Sequence, residues 1–577
     1  MEQKKGLLIG VILSSCLAFT ILRNFLLNPG ITEAGDLHWP YYSEQLSTYL
    51  WYEYGQFSRP PQQLIIYFWL WNLPLPPAIL ERIIYFFIFV LMGFSAFYVI
   101  FNLIKDEHKS KLATYIIACI STITYMLNPI NVYYMPHIFL LFGYSLFPFI
   151  IYFAFKYWKN TANKRQSFFY TMMIGITLTL ISGDIRWPIW SLFSISVIYF
   201  SLIILERRGK TKALLGFIGS VLIFTLLSSF CFFPLFKTFL SAPMMSIYNL
   251  YPLTEETYSF LNRYSSILNA LRFQADCWEP ARRLFLSNTK LYLLIWKVSG
   301  LVLPISAFLS LVLNPKKKEI LSLSMLSLII IILATAPNFP INFVSQIYHY
   351  VVFNFPFGAI FRTSYKWLLP LPFTFVLLAS YTLSSMFRKV ENTSIHKTRW
   401  RSLFIVFMCL ILVVSTSINS WPLLTGDRGG TFRPKILSQD YKYVYELVNS
   451  DKNYFMVIVW PKTPGWKVPA PVVKDNPYTD YIKALIKDNK TNYVGSYLAL
   501  INVKYLIFDK TDQRNPNLYQ NLLKQKDLAI IYEGQNLTVF KVKEETSLIK
   551  IADIILSLGF SKFKPEFSNQ FWLFIEQ

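Results

Sequence analysis

The alternation of apolar and polar stretches divides the chain into two unequal parts. From Gly6 to Ser420, long runs of Leu, Ile, Phe and Tyr are separated by short polar connections. A helix rises about 1.5 Å per residue, so about 20 apolar residues cross a bilayer core about 30 Å thick. Runs of that kind lie at 6–27, 79–104, 112–128, 137–155, 167–182, 188–205, 213–240, 290–313, 319–336, 366–387 and 402–420. They predict about eleven transmembrane helices. The first run follows Lys4 and Lys5, exceeds the apolar core of a signal peptide and has no small-x-small cleavage site. It is therefore read as a retained signal anchor.

Beyond Ser420 the pattern shortens. Asp440–Asn449 and Thr479–Lys487 read as helices; Tyr454–Trp460, Lys504–Phe508, Leu528–Tyr532 and Asn536–Val542 read as strands. Strands alternating with helices suggest a small α/β domain. The predicted organisation is an α-helical polytopic membrane domain over 1–420 and a soluble α/β domain over 421–577.

Charge orients the chain. Basic residues occupy every second connection: Lys4 and Lys5; Lys105, Lys109 and Lys111; Lys156, Lys159, Lys164 and Arg165; Arg207, Arg208, Lys210 and Lys212; Lys316–Lys318; Arg388, Lys389, Lys397, Arg399 and Arg401. The intervening connections 128–136 and 183–187 hold almost none. By the positive-inside rule the N-terminus is cytoplasmic and 421–577 is extracytoplasmic, on a multi-pass protein of the cell membrane. The net charge of +23 is then largely accounted for, and nucleic acid is not expected as a partner. A composition of 54% hydrophobic and 15% charged residues excludes a soluble globular protein of this length. Cys16, Cys119, Cys231, Cys277 and Cys409 show neither a disulfide nor a zinc spacing.

Three connections on the outer side are long: 28–78, 241–289 and 337–365. Long structured loops usually carry function. Within the first, the uncharged stretch 62–72 (QQLIIYFWLWN) suits a helix lying flat in the membrane interface. Just past the first span stands Glu33-Ala-Gly-Asp36-Leu-His38-Trp-Pro. A carboxylate there sits at the level of a lipid phosphate headgroup, where it reaches a lipid-borne substrate and an external acceptor together. Glu33 and His38 flank it as acceptor-positioning groups. They are also oxygen and imidazole ligands that would accept a divalent cation, the one cofactor considered; no metal cluster is visible in the sequence. Asp184 and Arg186 fill a tight outer turn, where an interfacial ion pair is the plainer reading. Arg362 and Lys366 break the positive-inside bias and suit an anionic partner such as a phosphate, or serve as snorkelling anchors.

Several of these stretches resemble those of a known family. Gly35-Asp36…Pro40, Asn128-Pro129 with Phe142-Gly143-Tyr144, Ser182-Gly183, Phe361-Arg362…Lys366-Trp367 and Ala499–Ile507 resemble the α-(1→3)-arabinofuranosyltransferase-like and YfhO-type proteins of the GT-C superfamily of membrane glycosyltransferases. The resemblance implies a GT-C-like fold and transfer of a sugar, with inversion, from a polyprenyl- or dolichyl-phosphate carrier. The acceptor it implies is an extracytoplasmic glycan, glycolipid or glycoprotein. It also implies that Asp36 is the general base. The sequence lacks the additional C-terminal carbohydrate-binding modules of the large arabinan enzymes, which leaves sugar and acceptor open, and it lacks a WWD-type motif and a clear Asp-x-Asp, which disfavours an oligosaccharyltransferase. Two other classes compete: a lipid or glycan transporter or flippase, which would want ionisable groups at the midplane and internal repeats, and a non-enzymatic scaffold with an outer binding domain.

Overall fold

The computed structural model describes residues 2–30, 33–34, 37–38, 75–108, 110–160, 163–184, 186–207, 209–241, 254–274, 290–355, 358–391, 395–434, 438–451, 455–460, 477–511 and 516–544. Each of the eleven apolar runs is helical: α1 (Glu2–Leu27), α2 (Pro77–Ile104), α3 (Lys111–Met126), α5 (Ile138–Lys159), α6 (Lys164–Ile181), α7 (Arg186–Glu206), α8 (Lys210–Ser241), the broken pair α11 (Lys290–Ser299) and α12 (Val302–Leu313), α13 (Lys318–Thr335), α15 (Leu371–Glu391) and α16 (Ile395–Asn419). Among the described residues, eight helices are long and apolar enough to cross a membrane, with Lys111–Met126 and Leu403–Asn419 as shorter apolar helices. The protein is a multi-pass membrane protein. Short helices lie between the spans: α4 (Pro129–Tyr134), α9 (Glu255–Asn262), α10 (Ile267–Leu271) and α14 (Asn342–Asn354). The flat helix expected at 62–72 lies outside the described residues.

Lipid tails offer no hydrophobic drive to bring apolar helices together, so close approach and polar stitching must do it. α15 is buried on all sides and carries the stitches. Ser380 bonds Ser121 at 2.7 Å, Thr374 bonds Ser327 at 3.0 Å and Thr382 donates to the Ser306 carbonyl at 2.7 Å. Close approach is set at Gly143, where a Cβ would stand 2.1 Å from the Trp187 ring. Trp187 fills that space and donates its indole N–H to the Leu140 carbonyl at 2.9 Å.

The two ends of the bundle differ. At one end the basic connections meet: Lys159 pairs with Glu319 at 2.8 Å, Lys318 with Glu206 at 3.2 Å, and Lys317 with Glu107. The other end gathers the ends of α1 and α13, the start of α2, the turn 182–187, and segments 128–137, 254–274 and 361–368.

After α16 comes α17 (Trp421–Leu424), and residues through 434 still pack on this second end. The α/β fold follows: α18 (Gln439–Ser450), β3 (Met456–Trp460), α19 (Pro477–Lys487), α20 (Val494–Ala499), β4 (Val503–Asp509), α21 (Pro516–Leu523), β5 (Leu528–Glu533) and β6 (Leu537–Val542). The sheet order is β3-β4-β6-β5, with β3 and β4 parallel and the other pairs antiparallel. Val444 and Val448 of α18 cover one face; Ile482, Leu498 and Leu522 cover the other. Sequence periodicity did not register α20 and α21, which have six and eight residues.

Candidate functional site

The site is built from the loops at the arginine-bearing end. α1 ends at Leu27, and Arg82 on α2 donates to the Asn28 and Gly30 carbonyls, the latter at 3.0 Å, fixing the exit of the chain. Beyond it, β1 (Glu33–Ala34) and β2 (Leu37–His38) pair antiparallel, Glu33 opposite His38 and Ala34 opposite Leu37. This register brings Glu33 and His38 to facing backbone positions. Asp36 itself lies outside the described residues, as do the side chains of Glu33 and His38.

Asp184 and Arg186 form a two-point ion pair. Asp184 Oδ1 accepts from the Arg186 backbone N–H at 3.0 Å and from Nε at 2.7 Å, and Oδ2 accepts from NH2 at 2.5 Å. Both side chains are largely buried, and the next residue is the anchored Trp187. The turn is thus held on both sides of Arg186. Tyr134 of α4 and Tyr365 lie within electrostatic reach of the guanidinium. That proximity makes neighbours of three segments distant in sequence: α4, the 184–186 turn, and the short 3-10 turn Ser364–Leu368.

Arg362 precedes that 3-10 turn and Lys366 lies within it. Phe361 stacks on Trp367 at 5.4 Å, and Trp367 packs edge-on against Phe193 at 5.2 Å. Buried Asn262 secures the backbone: its Nδ2 donates to the Arg362 carbonyl at 2.8 Å and its Oδ1 accepts from the Ser364 N–H at 3.0 Å. Ser364 Oγ donates to the Ala334 carbonyl at 2.8 Å, at the end of α13. The Arg362 side chain is exposed and makes no hydrogen bond or ion pair among the described residues, while Lys366 is partly buried. An exposed guanidinium on a rigid backbone is suited to an incoming anion. Among the described residues, no hydrogen bond joins Arg362 to Asp184 or Arg186.

A third element is one the sequence reading passed over, Thr425-Gly-Asp-Arg-Gly-Gly-Thr-Phe-Arg433. Its Asp427 is 1% exposed, and Oδ1 accepts from Thr425 Oγ1 and from the Gly430 N–H, both at 2.9 Å. Asp427 Oδ2 accepts from Arg433 Nε at 2.5 Å. Burial works against the carboxylate, but Arg433, the Gly430 N–H and Thr425 outweigh it and hold its carboxyl below the ordinary value. Gly426 has φ +85°, and a Cβ there would lie 2.5 Å from Arg23 Cγ. That gap lets its carbonyl accept from the Asn24 and Phe25 N–H groups at 3.1 and 3.2 Å. Buried Arg428 donates to the Val132 carbonyl of α4 at 2.6 Å, and Phe432 packs on Phe25 and Tyr85 at 5.0 and 5.1 Å. The loop clamps the last turn of α1, the start of α2 and α4 to one another. Its glycine cluster was a visible turn signal; its partners were not. Asn262 left no sequence signal at all.

Among the described residues, no group of three or more His, Cys, Asp or Glu side chains could hold a metal ion. The described geometry thus gathers the Asp184–Arg186 pair, Tyr134 and Tyr365, with the exposed Arg362 three residues before Tyr365.

No known protein-family profile matches the chain, and no curated protein matches its sequence. Solved structures do. The arabinofuranosyltransferase AftD from Mycobacteria superposes with a TM-score of 0.60 at 10% identity, over 94% of this chain and 40% of that one. The chain thus spans about two fifths of that protein's length. ArnT from Cupriavidus metallidurans superposes at 0.51 with 8% identity in its apo state, over 94% of this chain and 98% of ArnT. ArnT bound to undecaprenyl phosphate gives 0.50 at 9% identity, over 92% and 97%. At such identities the likeness speaks for architecture alone, and that architecture is the GT-C fold.

Proposed function

We propose that the protein is a membrane glycosyltransferase that moves a sugar from a polyprenyl- or dolichyl-phosphate carrier to an extracytoplasmic glycan, glycolipid or glycoprotein. The observation that carries this reading is the GT-C fold, shared over 94% of the chain with an arabinofuranosyltransferase and over 92% with ArnT bound to undecaprenyl phosphate. The lysine-paired end of the bundle supports a cytoplasmic assignment for that end, and so an extracytoplasmic one for the loop end and the α/β domain.

In this mechanism Asp36 takes the proton of an acceptor hydroxyl as its oxygen attacks the anomeric carbon. The bond from that carbon to the phosphate oxygen breaks with inversion, and the lipid phosphate departs as an anion. Arg362 and Lys366 hold the departing phosphate and stabilise its growing charge. Asp184 neutralises Arg186, so that pair serves to fix the turn and offers its remaining donors to substrate. Glu33 and His38 position the acceptor, and the α/β domain binds it.

The test is transfer from a polyprenyl-phosphate sugar by the purified, membrane-reconstituted protein. Asp36→Asn should lower the rate by about 10²–10⁴-fold with insertion unchanged, the usual range for loss of a general base. Wild-type turnover in Asp36→Asn would remove Asp36 from the mechanism. A wild-type protein inert toward a panel of polyprenyl-phosphate sugars would remove the glycosyltransferase reading itself.

A further inference from the structure

α14 has 13 residues, so it is about 20 Å long and cannot cross a bilayer core of about 30 Å. It nevertheless stands between two apolar helices that can, α13 and α15. Its inward side is firmly seated. Tyr348 and Val352 are buried, Tyr348 donates its hydroxyl to the Phe361 carbonyl at 2.7 Å, and Ser345 donates to the Pro337 carbonyl at 3.0 Å. His349 stacks on Phe353 at 4.4 Å and bonds Glu255 of α9 at 2.7 Å. Asn338 Nδ2 donates to the Asn262 carbonyl at 2.6 Å, closing α9 onto the turn at the end of α13.

The opposite side of α14 is covered by nothing described. Phe343, Ile347 and Tyr350, at positions i, i+4 and i+7, are 68%, 48% and 59% exposed. Ile341 and Phe355 extend the stripe at both ends, flanked only by the uncharged Asn342, Gln346 and Asn354. α9 and α10 continue it with exposed Phe260 and Leu268, and the Arg263 guanidinium lies 4.3 Å from the Phe260 ring centre.

We propose that α9, α10 and α14 form a lobe lying flat in the membrane interface, with the stripe Phe343–Ile347–Tyr350 immersed among the phospholipids at the Arg362 end. Three observations select a lipid surface as the occupant. The lobe is tied by Asn338–Asn262 and Ser345–Pro337 to the end of α13, so it sits where that span leaves the hydrocarbon. The exposed stripe of α14 is aromatic and uncharged, with Arg263 drawn back over the Phe260 ring beside it and the carboxylates of Glu255 and Glu256 confined to the start of α9, which is the composition of an interfacial surface with a polar edge. Its length suits a helix in the plane of the interface and no other membrane placement. The Tyr348–Phe361 bond then puts the neighbouring Arg362 at headgroup depth, within reach of a phosphate carried by a lipid. The lobe's placement stands independently of the enzymatic reading.

Depth can be read by spin labelling of the full-length protein, with its five native cysteines replaced, in phosphatidylcholine nanodiscs. Labels go on Phe343→Cys, Ile347→Cys and Tyr350→Cys, with Lys442→Cys on the exposed side of α18 as a water-facing control. All four positions are exposed, so folding is not at stake. The three stripe labels should collide with oxygen and be shielded from a water-soluble nickel chelate, at about 5–10 Å below the phosphates; the control should show the reverse. Nickel accessibility equal to the control would overturn the proposal. So would labels shielded from both agents, since protein would then cover the stripe.

Discussion

The two ends of the helical body hold their cations in different ways. At one end lysines reach carboxylates across connections: Lys159 to Glu319, Lys317 to Glu107 and Lys318 to Glu206. At the other end arginines mostly reach backbone carbonyls. Arg82 donates to Asn28 and Gly30, Arg428 to Val132 and Arg272 to Leu268; Arg186 and Arg433 hold the aspartates of their own turns. The first arrangement is a set of point charges on flexible stems, with Lys159 and Lys318 about half in solvent and Lys317 largely buried. The second uses a planar fork of donors to satisfy carbonyls that irregular backbone leaves open. Irregular backbone at the edge of a membrane persists only when protein supplies its hydrogen bonds. The arginine end can therefore keep shaped loops, and the lysine end needs only charge. If that contrast is real, single substitutions should be costly at one end and nearly silent at the other.

The largest effect on stability is expected at Asp427. Removing its buried carboxylate leaves the Gly430 N–H without its acceptor, takes one of two acceptors from Thr425 Oγ1, and releases the largely exposed Arg433 from the loop. Asp427→Ala should cost about 3 kcal/mol, read as thermal or denaturant unfolding in detergent micelles. The clamp also predicts a pH signature. The folded-state pKa of Asp427 is depressed, so its stabilisation is complete above the unfolded carboxyl value of about 3.9 and is lost as pH falls through the folded value. The gap between wild type and Asp427→Ala should thus be constant near neutrality and close below about pH 4. A gap that closed at pH 6 would place another titrating group in control.

A smaller loss is expected from Asn262→Ala, which strips the partner from the Ser364 N–H and the Arg362 carbonyl. About 2 kcal/mol of stability should go. On the proposed mechanism kcat and kcat/KM for the lipid-linked donor should both fall about tenfold, since Arg362 stabilises charge that grows on the phosphate as it departs. An unchanged kcat/KM beside the lost stability would leave Asn262 as a strut with no bearing on the reaction.

These two residues also mark where sequence reading stops. The eleven apolar runs all emerged as helices because length and hydropathy alone decide whether a segment suits a bilayer. The strands of the α/β domain were equally legible, since runs such as Met456–Trp460 are β-branched and aromatic and are buried on both faces. The Asp184–Arg186 pair was readable from its spacing in a tight turn. Asn262 was not, because its partners are main-chain atoms about 100 residues away and no side-chain pattern announces them. The Gly426 clamp announced a turn, but the helix end it grips lies 401 residues upstream of its Thr425 carbonyl. Long-range bonds to backbone leave no composition behind.

The lysine end supplies the complementary prediction, and the smallest effect. Lys318 sits 3.2 Å from Glu206 with about half of its side chain in solvent. The pair is screened by water and salt, and holding a long side chain in one rotamer offsets much of the attraction. Lys318→Ala should change stability by about 0.5 kcal/mol or less, shrinking further when salt is raised to about 0.5 M. Six further lysines or arginines stand on the same connection or the facing one, at Lys316, Lys317, Arg207, Arg208, Lys210 and Lys212, so the positive-inside bias survives the loss of one. The orientation should consequently be unchanged in a protease-protection assay. A cost near that of Asp427→Ala would mean the lysine end is built as tightly as the arginine end, and the contrast between charge that orients and charge that shapes would fall.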